Sequence, residues 1–147
     1  MAYQNPLKDG QDIRNRTFAF ACRIVTLCRQ LYEAGGICWP LASQLVRCGT
    51  SVAAMLEEAK AAESRRDFIS KCSIGLKEAR EAHVRLRIQS ETKIGPPQET
   101  RALMTEAHEI SCILAAIVRN TKMRQAAQAA TSLVIALLAA GYMLWKR

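Results

Sequence analysis

The 147-residue sequence has little glycine, little proline and few aromatic residues: 7 Gly, 4 Pro, and 5% Phe, Trp and Tyr together. The glycine and proline counts exclude collagen-like and low-complexity sequence. Scarce aromatics, with no β-branched runs, argue against a sandwich or barrel. Only two histidines occur, His83 and His108, far apart in the chain, and none of the six cysteines forms a C-x-x-C pair. With no ligands at short spacing, no metal and no cofactor is expected. Residues 1–16 (MAYQNPLKDGQDIRNR) contain no apolar stretch and read as no cleavable signal. Cys22, Cys28, Cys38, Cys48, Cys72 and Cys112 are therefore expected to be reduced, cytosolic thiols serving as small core residues.

Hydrophobic residues make up 50% of the chain, too many for a disordered one. Ala, Leu, Glu, Lys and Arg dominate and favour helices. The length allows one domain with a short appendage. A net charge of +8 would attract phosphate backbones or an anionic lipid surface.

Apolar residues recur at steps of three and four in four segments. Segment one, from about Asp12 to Tyr32, carries Thr17, Ala21, Ile24, Cys28 and Leu31 on one face, and Gly35-Gly36 stops it. Segment two starts near Pro40, with Leu41, Leu45, Cys48, Val52, Met55, Ala59 and Ala62 as its seam. Segment three opens with Ser64 followed by Asp67, a capping-box-like start, and carries Phe68, Cys72, Gly75, Ala79, Ala82 and Leu86. Small residues at its middle would admit a neighbouring helix closely. Lys93-Ile94-Gly95-Pro96-Pro97 ends it. Segment four begins around Gln98, with Leu103, Ala107, Ile110, Leu114, Ile117 and Thr121 facing inward. Short turns force neighbours antiparallel, and heptad-like steps imply shallow crossing angles. The expected fold is all-α: an antiparallel up-down-up-down four-helix bundle over residues 1–124, with a C-terminal hydrophobic helix over 125–147.

The stretches Arg47-Cys-Gly-Thr-Ser51, Glu57-Glu-Ala-Lys-Ala-Ala-Glu-Ser64, Asp67-Phe-Ile69 and Ser73-Ile-Gly-Leu-Lys-Glu-Ala-Arg-Glu81 resemble the four helix bundle protein family of ribosomal RNA intervening sequences. The chain is also similar to the accessory variability determinant of diversity-generating retroelements. The resemblance covers about residues 12 to 123 and implies an antiparallel bundle that assembles as a ring-like pentamer. In the retroelement branch it implies binding to nucleic acid and a reverse transcriptase. The chain departs from relatives at Val52-Ala-Ala-Met55, at Ser70, and at Val84-Arg85-Leu86. The family offers no catalytic residues to carry over.

Nor do the residues themselves suggest an enzyme. Paired carboxylates of a di-metal bundle need Glu-x-x-His motifs, which segments two and three lack. Cys48, Cys72 and Cys112 lie on or beside apolar rows, without the cationic setting of a nucleophile. Arg47, Lys77, Glu78 and Glu81 are expected to form interhelical or intersubunit ion pairs that fix register, with Lys77 pairing Glu81 one turn on. Arg65, Arg66, Lys71, Arg80, Arg85 and Arg87 on segment three, joined by Arg14, Arg16, Arg23 and Arg29 on segment one, would form an outer basic belt. Such a belt could hold nucleic acid through its phosphates, or contact a protein partner.

Ala126 to Trp145 (AAQAATSLVIALLAAGYMLW) holds no charged residue. Twenty helical residues span about 30 Å, the thickness of a hydrocarbon core. Lys122 and Arg124 flank one end, Lys146 and Arg147 the other, with Tyr142 and Trp145 placed for an interface. Leu133, Ile135, Leu137 and Leu138 supply the apolar surface, and Ser132, Ala136 and Ala140 form a small-residue row suited to helix contact. A tail anchor follows, inserted after synthesis, with the bundle in the cytoplasm on the inner membrane. The function expected is a non-enzymatic homo-oligomeric scaffold tethered to the membrane, in its most specific form an effector of bacterial defence. The alternative is a soluble basic nucleic-acid-binding accessory of a reverse transcriptase or other processing partner, with the apolar tail buried in the oligomer.

Overall fold

A computed structural model describes residues 11–145, with side chains over residues 13–144. Four helices follow one another: α1 (Gln11–Ala34), α2 (Cys38–Lys60), α3 (Arg65–Glu91) and α4 (Pro97–Trp145). No strand occurs among the described residues. Each helix packs against the next, and α4 returns to α1, so the four form a closed square.

Ion pairs show the direction of three sides of that square, and other side-chain contacts that of the fourth. The start of α1 meets the end of α2 through Arg14 and Glu57 at 3.2 Å. The end of α2 meets the start of α3 through Glu58 and Lys71, while Arg47 reaches Glu81 further along both helices. Arg16 binds Glu106 and Arg23 binds Glu99, so α1 and α4 also run oppositely. Arg65 of α3 contacts Gln128 of α4, far beyond the point where His83 meets His108. All four interfaces are antiparallel, as the short turns require.

The turns have distinct causes. Gly35 and Gly36 take φ of +69° and +56°, a left-handed pair that glycine adopts without strain. Ser64 is an N-cap: its hydroxyl accepts from the Asp67 N–H at 3.1 Å. The α3–α4 corner differs from the sequence expectation. α3 stops before the prolines, because Lys93 turns left-handed at φ +56°. Its N–H donates to Ser90 O and the Ile94 N–H donates to Gln89 O at 2.9 Å, a Schellman closure with lysine where glycine is usual. Pro97 is then free to act as the first residue of α4, where no N–H is needed.

The rows expected for α1 and α3 are buried throughout. In α2 the buried row is Ala42, Leu45, Cys48, Gly49, Val52, Leu56 and Ala59, so Leu41 and Met55 stand at its flank. Helix α2 lies between α1 and α3, and Met55 turns toward α3, where a Cβ at Gly75 would sit 3.4 Å from its own. In α4, Val118 replaces Ile117 in the core. Segment four and the apolar piece are one helix of 49 residues, about 70 Å long, and no backbone break marks the boundary expected at 124/125. Thr121 is its last buried residue; residues 122–144 are all exposed.

Candidate functional site

The second half of α4 leaves the bundle as a bare apolar rod. Leu133, Ile135, Leu137, Leu138 and Tyr142 are 54–70% exposed, although an ordinary soluble surface would cover so many neighbouring apolar groups. Ser132, Ala136 and Ala140 are exposed with them, and a Cβ at Gly141 would meet nothing within 4 Å. The Trp145 side chain, Lys146 and Arg147 lie outside the described residues. The helix contains an 18-residue stretch long and apolar enough to cross a membrane, and none of that stretch is buried. Its exposure differs from that of a buried core helix. Exposed Lys122 and Arg124 stand at the bundle end of the rod.

The basic residues expected to act together fall into two groups. Lys71 and Arg85 face α2: Lys71 binds Glu58, and Arg85 binds Glu81 at 2.7 Å and Gln44 at 3.3 Å. Arg65 contacts Gln128 at the root of the rod. Arg66, Arg80 and Arg87 are exposed and fall on one stripe of α3 by helical spacing. Three of the α1 cations are paired as well. Arg14, Arg16 and Arg23 pair with Glu57, with Glu106 and Glu109, and with Glu99. These three residues tie α1 to α2 and to α4, and the α1–α4 side is the least extensively packed of the four.

Arg47 sits 2.8 Å from Glu81 and 3.9 Å from Glu78, between α2 and α3. The i,i+4 partner of Glu81 is Arg85, and Lys77 is exposed and joins neither carboxylate. Hydrogen bonds from Arg85 and Arg47 hold the Glu81 carboxyl below its ordinary range. Arg16 does the same for Glu106.

Two arrangements escaped the sequence. Phe18, Cys22 and Val25 form an i, i+4, i+7 stripe on the outside of α1, beside Thr50 and Ala53 of α2, and Phe18 is 67% exposed. The repeat was visible in the spacing, but the inner row of the same helix masked it. Second, His83 and His108 come together: their ring centroids lie 5.5 Å apart across α3 and α4. Burial, then His108 and Arg87, lower the affinity of His83 for a proton. Cys112, one turn beyond His108, is exposed. Cys28, Cys48 and Cys72 are inert by contrast: burial pushes the thiols up to about 12, about 11 and about 12.

The family described as 23S rRNA-intervening sequence protein matches residues 10–116. A crystal structure at 1.70 Å of a protein of unknown function from the S23 ribosomal protein family of Bacteroides thetaiotaomicron superposes with a TM-score of 0.66. It is 31% identical and covers 72% of this chain and 97% of its own. No curated protein matches. Neither the family nor the neighbour is described by an enzymatic activity. The family match ends at residue 116, so the exposed rod lies wholly beyond it.

Proposed function

The chain belongs to the 23S rRNA-intervening sequence protein family, and from that premise we propose that it is a non-enzymatic helical scaffold held at a membrane by the second half of α4. The observation that carries this reading is the uncharged run Ala126–Trp145 projecting from a complete bundle, with every described side chain exposed. In water that run exposes apolar surface at about 25 cal/mol per Å². In lipid its backbone is satisfied within the helix and its side chains match the solvent. The exposed cations at its base suit an anionic headgroup layer.

Self-association belongs to the same proposal. Phe18, Cys22 and Val25 with Ala53 present an apolar face on the bundle, suited to a second copy in a ring-like, pentameric assembly. The Ser132–Ala136–Ala140 row would then allow the rods to touch within the bilayer. An assembled effector of bacterial defence is the most specific form of this reading, with the bundle on the cytoplasmic side.

Flotation with phosphatidylethanolamine–phosphatidylglycerol vesicles tests the tether. The full chain should float and stay bound in high salt. Ile135→Lys with Leu138→Lys, costing about 2.5–3.5 kcal/mol each at a membrane centre, should leave it at the bottom of the gradient. Flotation that the double variant does not reduce, or that salt abolishes, would remove the tether.

A second reading has its own support in the stripe Arg66, Arg80 and Arg87: a soluble nucleic-acid-binding accessory to a processing partner, its tail buried between copies. It predicts RNA retention at low salt that falls steeply as salt is added, and its loss in Arg66→Glu with Arg87→Glu.

A further inference from the structure

The contact between Arg65 and Gln128 fixes how much of the rod stands clear of the bundle. Along the α3–α4 seam a Cβ at Gly75 would meet Leu114, and His83 meets His108. The same antiparallel register brings the α2–α3 corner, residues 61–66, beside about residues 125–130 of α4, where the Gln128 side-chain carbonyl accepts from the Arg65 guanidinium. Glu63 and Ser64 are exposed at this corner. A guanidinium and an exposed carboxylate belong in water or among headgroups, since a charge in hydrocarbon is costly. The start of the uncharged run, residues 126–130, is therefore held level with a polar corner and outside the hydrocarbon.

What remains for lipid is short. Residues 131–145 make about 22 Å of helix, against a hydrocarbon core of about 30 Å, and Lys146-Arg147 closes the run. A helix shorter than its bilayer is accommodated by local thinning and by drawing its polar flanks down to the headgroups. The flank drawn down here is positively charged. Lys60 and Arg66 are exposed and Arg65 is half-buried, while Lys122 and Arg124 are exposed on the adjoining turns of α4. The described acids of the corner that oppose them are Glu63 and Asp67, because Glu57 and Glu58 pair with Arg14 and Lys71. A basic cluster of this size beside a membrane helix attracts anionic lipid, by about fivefold in equilibrium for each cation near the surface.

We propose that the α2–α3 end of the bundle is itself a lipid-binding surface, on which Lys60, Arg65 and Arg66, with Lys122 and Arg124, dock against the phosphates of anionic headgroups. This rests on the tether proposed above and adds where the bundle sits: its α2–α3 end lies in the headgroup layer, and its α3–α4 corner is held about 40 Å away by the length of α3. The docking and the short rod support each other, since each millimetre-scale alternative of a free-swinging bundle is removed by the unbroken helix that joins them.

Quenching by a lipid with a nitroxide on its headgroup tests the surface on the full chain, in vesicles of phosphatidylcholine with one-quarter phosphatidylglycerol. Cys22→Ser, Cys38→Ser and Cys112→Ser together leave only buried thiols, and a dye is then attached at Glu63→Cys or, near the far end of α3, at Glu91→Cys. The dye at position 63 should be strongly quenched and the dye at position 91 hardly at all. Lys60→Glu with Arg66→Glu should shift the docking equilibrium at least about 25-fold and bring quenching at 63 down towards that at 91. Omitting phosphatidylglycerol should do the same, and in both cases the chain should still float on its inserted rod. Both substituted positions are exposed, so circular dichroism should show unchanged helicity. A chain that fails to float removes the tether and this surface with it. A chain that floats with position 63 unquenched, or with quenching indifferent to charge reversal and to lipid charge, overturns the docking surface and leaves the tether standing.

Discussion

Gly49 of α2 lies directly against Ile24 of α1: a Cβ at position 49 would stand 2.7 Å from Ile24 Cγ2 and 3.0 Å from its Cγ1. Ile24 is fully buried and β-branched, so it has no easy rotamer into which to retreat. Ile24 therefore fills the space that a methyl group at position 49 would need.

Gly49→Ala should lower stability by about 1–3 kcal/mol through overpacking, reduced by up to about 1 kcal/mol of gained helix propensity. Gly75→Ala, where the nearest atom is an ordinary 3.4 Å away, should be neutral or stabilising. Urea denaturation of both checks the contrast. In a double-mutant cycle, Ile24→Ala should cost less in the Gly49→Ala background than in the wild type. Equal effects of the two alanines would contradict the packing described.

Lys93→Gly tests the α3–α4 corner. The left-handed conformation is costly for lysine and free for glycine, so this substitution should raise stability by about 0.5–1 kcal/mol despite the added freedom of the unfolded chain. Lys93→Val should have the opposite effect, since a β-branched residue tolerates that conformation least. Thermal midpoints of the two variants should bracket the wild type.

The acid limb of stability should depend on the α1–α4 clasp. Arg16 holds the Glu106 carboxyl below its ordinary value, and Arg85 with Arg47 holds Glu81 below its own. As pH falls past about 4.5, the unfolded chain takes up these protons before the folded one does, so stability is present above that pH and is lost as pH drops through the lowered folded values. Glu106→Gln should flatten this decline and leave the curve near pH 7 parallel to that of the wild type. An unchanged acid slope would mean that the pair contributes nothing.

The fold was legible because a helical core repeats every three to four residues, and the rows of α1 and α3 follow that period without ambiguity. In α2, Leu41 and Met55 have the same spacing as Ala42 and Leu56. Only the presence of helices on both sides decides which pair is inside. The cap at Ser64 was readable from local chemistry, whereas the early end of α3 depends on a conformation that lysine does not announce. Pairings across helices were the least accessible: Arg16 with Glu106 and His83 with His108 join residues whose proximity is created by the antiparallel closure alone. The apolar run beyond Ala126 was plain in the sequence. That α4 carries it out of the bundle without a break was not, because nothing in composition distinguishes one long helix from two.

Alkaline carbonate extraction of membranes from cells making the full chain tests the central claim most directly. The protein should stay in the membrane pellet, and a chain ending at residue 125 should appear in the soluble fraction as a folded helical bundle. Release of the full chain by carbonate would contradict the account, for then the exposed half of α4 would find its cover in protein and not in lipid.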